Sequence, residues 1–413
     1  NAALGILPTR PARARAVTSG VMRVLHTGDW HVGKTLYGYD RTPEIAAALE
    51  ESLDVAMHHG VDAVLVAGDL YHSRNPGAEA EAAVFEFFRR ATEARLPVVV
   101  IAGNHDSPRR LDAIAGFMRN HRVHIVGRPR RPEEGGVVTV DVGSERMVVA
   151  CLPFVSERVL RTSGELFQEG LGDAITTYQQ KTAALMHGYA AAFRNDTVNV
   201  LLMHGTMDGA KLSGSEYTFH SGRDYAISPS HVPDTATYIA MGHIHMPQAV
   251  SGFPEEQARY CGSLVQLDFG EAGDRKYAYV VELEPGKPAR TVAAEPLRCG
   301  RELRQVRVTL AELEARDAEL RAFTGHLKLV LELERHDPTV RERVRERLPN
   351  ARIVQVEVPR SEAPGVASDA ATRTLRENFE AYWRETHDGH LDEGVMSKFA
   401  ELHALVEAEE LAR

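Results

Sequence analysis

Residues 63–72 read AVLVAGDLYH, a short apolar run that ends in Gly68 and Asp69. An unbroken apolar run of this length is typical of a strand that is buried on both faces. Four other runs follow the same plan, in which Val, Leu or Ile give way to small and then to polar residues. The five runs are Arg23–Thr27, Ala63–Ala67, Val98–Ala102, Val198–Met203 and Tyr238–Met241.

Helical segments separate the first three runs. Thr42 and Pro43 predict a helix start, with a side-chain cap followed by proline at the first helical position, and the helix extends to about His59. Ala78–Ala94 is rich in Ala, Glu and Phe at helical spacing. The order βαβαβ predicts helices packed on a largely parallel sheet. Later segments alternate as hairpins do, so the core domain is predicted to be an α/β/α or two-sheet sandwich.

Polar side chains follow every one of the five runs. The motifs are GDWH at 28–31, GDLYH at 68–72, GNHD at 103–106, HG at 204–205 and GHIH at 242–245. Because the carboxyl ends of parallel strands open at one edge of a sheet, we expect these side chains to meet there. The glycines allow the sharp turns and the close approach that such a cluster needs.

Carboxylate, amide and imidazole groups in this number suit two divalent metals that share a carboxylate. Asp69 is the natural bridge, since it ends the central run and has two oxygens. Asp29, His31 and one later histidine complete one site, while Asn104, His204 and another later histidine complete the second. Nitrogen and oxygen ligands without thiolate favour Mn, Fe or Zn over Mg or Ca. Such a pair polarises a phosphoryl group and lowers the pKa of water.

His105 and Asp106 lie beside a predicted ligand without being needed as ligands. His105 is expected to stabilise the transition state or to protonate the leaving oxygen, and Asp106 to fix its tautomer. Histidines outside the motifs are interpreted as ordinary cap or loop residues. They are His26, His58, His59, His121, His124 and His187.

The motif order resembles that of the calcineurin-like metallophosphoesterases, whose pattern is Asp-x-His, Gly-Asp, Gly-Asn-His-Asp, His and Gly-His-x-His. The likeness covers about Met22–Leu283. Within that superfamily the chain is similar to the nucleases of DNA double-strand-break repair. The resemblance implies a four-layer α/β/β/α sandwich, followed by a small α+β DNA-capping domain and a C-terminal helical tail.

The resemblance also implies roles for individual residues. The first Mn ion would be held by Asp29, His31, Asp69 and His245, and the second by Asp69, Asn104, His204 and His243. His105 would act on the scissile phosphate, and His72 would help to contact or orient it. The implied cofactor is two Mn(II) per chain, with Fe, Mg or Zn as substitutes. The implied activity is exonuclease and endonuclease cleavage of DNA.

The predicted domains are a disordered extension (1–21), the nuclease domain (22–285), the capping domain (286–360) and a linker with docking tail (361–413). Residues 304–358 are interpreted as a βαββαβ-type module. The tail helices, 370–386 and 393–412, resemble a segment that docks on an ABC-type ATPase. A homodimer would form through Ala78–Ala94 and Arg109–Arg119. Phe85, Phe87 and Phe88 are candidate dimer contacts, with packing on the sheet as the equal alternative.

The charge balance argues against a protein that coats nucleic acid. The net charge is −10, and residues 361–413 alone carry −7. Binding of DNA therefore requires local basic residues, whose phosphate contacts position the duplex without reading its sequence. The main candidates are Lys34, Arg109, Arg110 and Lys211, with Arg41, Arg223, Arg128, Arg130 and Arg131 as further ones.

Other classes of protein fit less well. Three scattered cysteines exclude a disulfide framework, and a cytoplasmic protein without a membrane span is expected. Residues 28–35 read GDWHVGKT, which satisfies the phosphate-loop pattern, but Asp29 and Trp30 suit such a loop poorly and the helix start comes only at Thr42. The rivals are a protein phosphatase or small phosphodiesterase, which the additional C-terminal residues disfavour, and a scaffold without metals, which would be expected to lack ligands.

Overall fold

In the computed structural model the described residues are 20–156, 159–160, 177–213, 226–254, 256–335 and 337–357, together with 379–380, 383, 392 and 394–401. The chain divides into two compact units, Asn1–Glu357 and Val358–Arg413. Apart from residues 20–21, the predicted disordered extension lies outside the described residues, and so do residues 361–378 at the start of the predicted linker and docking tail.

The first unit contains both sheets of the core and the module that follows them. Its strands are β1 Met22–Thr27, β2 Thr35–Leu36, β3 Tyr39–Asp40, β4 Ala63–Val66, β5 Val98–Ile101, β6 Val123–Val126, β7 Val137–Val142, β8 Glu145–Leu152, β9 Val198–His204, β10 Tyr238–Gly242, β11 Gln248–Ala249, β12 Ala258–Tyr260, β13 Tyr277–Leu283, β14 Arg290–Pro296, β15 Leu303–Thr309, β16 His326–Glu332 and β17 Ala351–Glu357. Its α-helices are α1 Thr42–His58, α2 Ala78–Glu93, α3 Pro108–Arg119, α4 Tyr178–Ala190, α5 Leu310–Ala315, α6 Asp317–Ala322 and α7 Val340–Arg347.

Two six-stranded sheets pack face to face. Their orders are β14-β13-β1-β4-β5-β6 and β11-β12-β10-β9-β8-β7. Successive residues of the central strands point to opposite faces, so Leu25 packs under α1–α3 whereas Val24 packs in the core between the sheets. Helix α4 covers the outer face of the second sheet through Leu185 and Met186. The predicted four-layer α/β/β/α sandwich is confirmed.

The five motif-bearing strands do not belong to one sheet, which corrects the expectation of a single edge. Strands β1, β4 and β5 lie in the first sheet, and β9 and β10 lie in the second. Within each sheet these neighbours are parallel. Each sheet therefore presents carboxyl ends together, and the sandwich brings the two sets of ends to the same place.

Helix α1 begins one residue before the predicted first helical position, Pro43, and with a different cap. Thr42 is the first helical residue, and its backbone N–H donates to Asp40 Oδ1 at 2.9 Å. Arg41 occupies the cap position and makes no side-chain cap. The acceptor is thus the carboxylate of Asp40, because that side chain reaches the first free N–H of the helix.

The C-terminal module differs from the βαββαβ expectation. Strands β15, β16 and β17 are all parallel, so the module is a βαβαβ unit. Between β15 and β16 the chain forms two short helices that meet at Arg316. Parallel neighbours need a crossover between each pair of strands, and α5–α6 and α7 supply the two crossovers.

The first sheet continues beyond residue 285, where the sequence predicted a domain boundary. Strand β14 pairs antiparallel with β13 as far as Pro296. The stretch from Pro285 to Pro288 is the turn between them, closed by the Lys287 N–H on the Glu284 carbonyl at 3.2 Å. A proline- and glycine-rich turn and a linker share the same composition, which accounts for the predicted boundary.

Helices α2 and α3, the candidates for dimer contacts, pack one face of each helix into the core. Phe87 and Phe88 are buried, and Phe87 packs on the Trp30 ring at 4.7 Å. Phe85 is 37% exposed, and Phe117 on α3 is 67% exposed. Of the three phenylalanines named from the sequence, only Phe85 offers surface to a partner.

The second unit is described only in part. Residues 394–401 are helical, and the Phe399 ring stacks on the Phe379 ring with 4.3 Å between centroids. Phe379 and Phe399 belong to the two predicted tail helices, which therefore contact each other at this position. Among the described residues, no helix has both the length and the apolar character that a membrane crossing requires.

Candidate metal centre

The ligand-bearing turns are strained at the motif residues. Asp29, His31, Asp69 and His243 adopt positive φ angles of 47°, 48°, 50° and 100°. This left-handed conformation is uncommon outside glycine and costs on the order of 1–3 kcal/mol per residue. Four such residues in one small region indicate that the surrounding structure holds them for a function.

Glycines let these turns approach one another closely. A Cβ on Gly68 would lie 2.5 Å from His204 Nδ1 and 2.8 Å from the Gly103 backbone nitrogen. A Cβ on Gly103 would overlap the Asp69 carboxylate and its backbone nitrogen. The expectation that the motif glycines allow ligands to crowd together therefore has a steric basis.

Replacing Gly103 by alanine is expected to displace Asp69 and to weaken binding of divalent metal by at least about tenfold. Gly116→Ala is the matched control, because a Cβ there meets nothing within 4 Å and the residue lies in α3. Calorimetric titration with Mn(II) compares the two variants with the parent chain. Parental affinity in a folded Gly103→Ala protein would contradict this steric account.

One group of ligand atoms contains Asp29, His31 and His245. One donor atom from each lies within 4.8 Å of the others. His31 Nε2 and His245 Nε2 are 3.1 Å apart. Asp29 is fixed by the His243 backbone N–H, which lies 2.9 Å from Oδ1 and 3.1 Å from Oδ2.

A second group contains Asp29, Asp69 and His204, again within 4.8 Å. Asn104 Oδ1 adjoins this group, 3.0 Å from His204 Nε2 and 2.9 Å from His243 Nδ1. The structure thus brings His245 to the first group and His243 to Asn104, the pairing that the family resemblance implies. Asp29 belongs to both groups, whereas the sequence suggested only one.

Asp69 lies between the two groups. Its Oδ2 is 3.5 Å from His31 Nε2 and 3.4 Å from His204 Nε2, while Oδ1 accepts the His105 backbone N–H at 2.8 Å. Ligand atoms bound at about 2.1 Å to one ion at tetrahedral or octahedral angles lie roughly 3.0–3.4 Å apart. The donor set and its spacings therefore fit a pair of divalent ions that share the Asp69 carboxylate.

Hydrogen bonds orient two of the imidazoles toward the centre. His204 Nδ1 lies 2.7 Å from the Ala67 carbonyl, and His245 Nδ1 lies 3.0 Å from Glu271 Oε1. A carbonyl only accepts, so Nδ1 of His204 carries a hydrogen, and Nε2, which faces Asp69 Oδ2 at 3.4 Å, is the nitrogen that a cation would bind. This arrangement is usual for a metal-binding histidine.

Burial dominates the electrostatics of the centre. Burial raises the pKa of Asp29 to about 7 and that of Asp106 to about 7, the latter with help from the charge of Asp69. Burial lowers the pKa of His31 well below its usual range. For Asp69, burial acts to raise the pKa, but the charge and hydrogen bond of His204 outweigh it and hold the pKa low. A cation placed among these groups would compensate the desolvated carboxylates.

His105 and His72 flank the first group. The His105 ring lies 4.7 Å from the His31 ring and stacks on His72 at 5.4 Å. His105 Nδ1 is 2.9 Å from the His72 carbonyl, which therefore accepts its hydrogen and leaves Nε2 for proton exchange. The sequence assigned this orienting role to Asp106. Burial and then the charge of Lys34 lower the pKa of His72 to about 4.

Asp106 instead ties two motif loops together. Its carboxylate accepts the backbone N–H groups of Leu70, Tyr71 and Gly103 at 3.2, 3.1 and 2.9 Å. These bonds link the GDLYH turn after β4 to the GNHD turn after β5. The observed contacts make Asp106 a residue that positions the ligand loops.

The candidate DNA contacts have different surroundings. Arg109 and Lys211 are exposed, whereas Lys34 and Arg110 are half-buried. Arg110 Nε also pairs with Glu81 at 2.9 Å. Arg41 is fully buried and pairs with Glu44, so its candidacy is wrong. Arg128 and Arg130 both pair with Asp112. Arg223 lies outside the described residues.

The phosphate-loop interpretation fails in the structure. Lys34 begins no helix, since it is followed by the β2–β3 hairpin and α1 starts only at Thr42. Trp30 is buried inside the turn and donates from Nε1 to Thr27 Oγ1 at 2.9 Å. The loop thus presents Asp29 and His31 to the centre rather than a row of backbone N–H groups to a phosphate.

Comparison with known proteins agrees with this geometry. Residues 22–247 match the family described as calcineurin-like phosphoesterase. The chain belongs to this family. It is therefore a metal-dependent phosphoester hydrolase, and its candidate Asp and His clusters are of the kind that binds divalent metal. The matched segment contains every predicted ligand from Asp29 to His245.

Three individual relatives make the similarity more specific than the family does. The chain is 34% identical over 270 residues to the SbcD component of the nuclease SbcCD from Bacillus subtilis, which is 65% of this chain and 68% of that protein. The protein of the same name in Rhodobacter capsulatus is 31% identical over 283 residues, or 66% and 69%. The Escherichia coli K12 protein of that name is 34% identical over 281 residues, or 64% and 66%.

Sequence reasoning missed Glu271 and Lys276 near the centre. They lie in FGEAGDRK at 269–276, a segment between the last motif and β13. Glu271 accepts from His245 Nδ1, and Lys276 Nζ donates to Glu271 Oε2 at 2.7 Å. No recurring spacing marks them, since the Glu–Lys pair is recognisable only once the fold places it behind His245.

Proposed function

We propose that this chain is the nuclease component of a DNA-processing complex, a Mn(II)-dependent phosphodiesterase that cleaves DNA as an exonuclease and an endonuclease. The observation that carries the proposal is the position of Asp69 Oδ2, 3.5 Å from His31 Nε2 and 3.4 Å from His204 Nε2. The names of the relatives, each a subunit of a nuclease, support a nucleic acid as the substrate class.

Each ion would have four protein ligands. Asp29, His31, Asp69 and His245 would hold the first, and Asp69, Asn104, His204 and His243 the second. Such a pair polarises a phosphoryl group and acidifies a water for attack on phosphorus. Nitrogen and oxygen donors without thiolate suit Mn(II), with Fe, Mg or Zn as substitutes.

His105 would act on the scissile phosphate. Its Nδ1 hydrogen is engaged by the His72 carbonyl at 2.9 Å, so proton transfer to the leaving oxygen would run through Nε2. His72 would help to orient the phosphate from beside the His105 ring. Asp106 would be a positioning residue. It would hold the loops that carry His72 and His105 through its hydrogen bonds to backbone N–H groups.

DNA would approach over exposed basic residues around the centre. Arg109 and Lys211 are exposed, and Lys34 and Arg110 are half-buried. Contacts of this type release counterions, so binding would weaken as salt increases. They would hold the phosphodiester backbone without selecting a sequence.

The chain would work in an assembly. An SbcC-type ABC ATPase would bind the C-terminal helices, and a homodimer would form through α2 and α3, where Phe85 and Phe117 are exposed. The complex would process DNA double-strand breaks and hairpins in the cytoplasm, at the nucleoid. The β15–β17 module, within residues 286–360, would form the DNA-capping domain.

Deleting residues 366–413 is expected to abolish binding of the ATPase partner and to spare metal binding, because the first compact unit ends at Glu357. Size-exclusion chromatography of the mixed proteins measures complex formation, and Mn(II) titration of the truncated chain supplies the control. A truncated chain that still elutes with the ATPase would rule out this docking tail.

Substrate class is tested by one comparison. The purified chain, with Mn(II) and the ATPase, is incubated with linear duplex DNA, hairpin DNA or a phosphorylated peptide. Release of nucleotides from DNA, with the peptide left intact, is the expected result. Phosphate release from the peptide without DNA cleavage would replace the nuclease by a protein phosphatase of the same family.

A further inference from the structure

Glu271 is a fully buried carboxylate that lies outside all the sequence motifs. Its two oxygens have different partners. Oε1 is 3.0 Å from His245 Nδ1, and Oε2 is 2.7 Å from Lys276 Nζ. The Leu267 backbone N–H also donates to Oε2, at 3.1 Å. The buried anion is thus compensated by an ammonium group, two N–H donors and the Ser263 hydroxyl, whose Oγ lies 3.1 Å from Oε2.

This arrangement determines which nitrogen of His245 carries the hydrogen. An ionised carboxylate only accepts, so Nδ1 must be the protonated nitrogen. His245 Nε2 then presents a lone pair on the opposite side of the ring, 3.1 Å from His31 Nε2. A neutral imidazole in the other tautomer would set its hydrogen against the metal position and leave Glu271 without this donor.

Lys276 makes the arrangement rigid at both ends. Its buried ammonium donates to Glu271 Oε2 and also to the His245 carbonyl, at 2.7 and 2.9 Å. The backbone and the side chain of His245 are therefore tied to the same ion pair. Rotation of the ring would break the contact to Glu271 and leave a buried charge imperfectly compensated.

We propose that Glu271 is a positioning residue of the metal centre, which with Lys276 holds His245 in the tautomer and orientation that expose Nε2 to one ion. The inference deepens the proposed function, because it rests on the ligand role of His245. A carboxylate behind a metal-binding histidine also makes the imidazole a better donor. Glu271 would touch neither substrate nor metal.

The direct test measures metal affinity in Glu271→Gln. The glutamine amide retains the shape but removes the charge, and it sets its NH2 group against either Lys276 or His245 Nδ1. Calorimetric titration of the metal-free full chain with Mn(II) is expected to show one of two sites weakened about 10–100-fold, with the other unchanged. Asp112→Asn is the matched control, since Asp112 pairs with Arg128 and Arg130.

The outcomes distinguish the positioning role of Glu271 from the proposed function of the chain. Parental affinity at both sites in folded Glu271→Gln would overturn the positioning role alone. Failure of the parent chain to bind Mn(II) would instead overturn the proposed function. A loss of the same size in Asp112→Asn would show a general effect of losing a buried carboxylate and would overturn the specific role.

If Glu271→Gln does not fold, two further measurements test the positioning role of Glu271. The double variant Glu271→Met, Lys276→Met removes both charges together, which an interior tolerates better than one unpaired charge. It is expected to show the same selective loss of Mn(II) affinity. In the parent chain, nitrogen NMR of the histidine side chains, assigned with His245→Asn, should find His245 protonated at Nδ1. An Nε2-protonated His245 would overturn the inference.

Discussion

Asp69→Asn is expected to lower phosphodiester hydrolysis by roughly 10³-fold or more, because several kcal/mol of transition-state stabilisation depend on the ions that this carboxylate bridges. The amide keeps the size of the side chain, and its oxygen can still accept the His105 N–H that meets Oδ1 at 2.8 Å. What it loses is the negative charge at the position of Oδ2, between His31 Nε2 and His204 Nε2. Cleavage of linear duplex DNA with Mn(II) and the ATPase partner measures the effect.

The loss in Asp69→Asn should appear in metal binding as well as in rate. Mn(II) titration is expected to show both sites weakened, since the two groups share this residue. Asp112→Asn serves as the control for metal binding, because its carboxylate pairs with surface arginines and its loss should leave Mn(II) affinity unchanged. A folded Asp69→Asn protein with the parental cleavage rate would be fatal to the two-metal mechanism.

His105→Asn is expected to lower the rate by about 10²–10⁴-fold, the usual contribution of general acid–base catalysis. The backbone N–H that supports Asp69 remains in this variant, so Mn(II) affinity should stay near the parental value. Comparing the cleavage rate with Mn(II) titration of the same preparation therefore separates the two roles. Asp69→Asn is expected to lose both cleavage rate and Mn(II) affinity, whereas His105→Asn is expected to lose only cleavage rate.

His121→Asn is the matched control for His105. His121 packs on the exposed Phe117 ring at 4.9 Å and lies outside the motifs, so its replacement should change neither quantity. Equal rates for His105→Asn and the parent would remove His105 from the chemistry. Lost metal binding in His105→Asn would make it a structural support of the centre instead.

The layers of the core were predictable because their signal is local. Runs such as Ala63–Ala67 have no polar face, and a strand without a polar face must be covered on both sides. The strand at this run, β4, is buried throughout, between helices and the second sheet. Helices α1 and α2 were predicted almost to the residue, since proline and regular apolar spacing mark them.

The division into two sheets was not predictable from the same runs. Nothing in the composition of β9 and β10 distinguishes them from β1 and β4, because strands buried on both faces have no preferred side. Assignment to a sheet depends on long-range pairing, such as β13 entering the first sheet beside β1. The module after β14 was misjudged in its strand count, since the label βαββαβ implies a fourth strand whereas the described residues form a three-stranded sheet.

Much of the candidate centre was predictable from the sequence, because each motif places its ligands immediately after a strand. Asp29 and Asp69 needed only the rule that parallel strands end together. The backbone strain at these residues and the position of Glu271 behind His245 arise from tertiary contacts. The role predicted for Asp106 was wrong for the same reason, since a neighbour in sequence was taken as a neighbour in space.

The most direct test of the central claim is anomalous X-ray scattering from crystals of the chain soaked in Mn(II). The account predicts two peaks per chain, roughly 3.5–4 Å apart, on either side of the Asp69 carboxylate. The first should lie among Asp29, His31 and His245, and the second should lie beside Asn104, His204 and His243. A single peak, or peaks away from Asp69, would contradict a shared pair of ions at the ends of these strands.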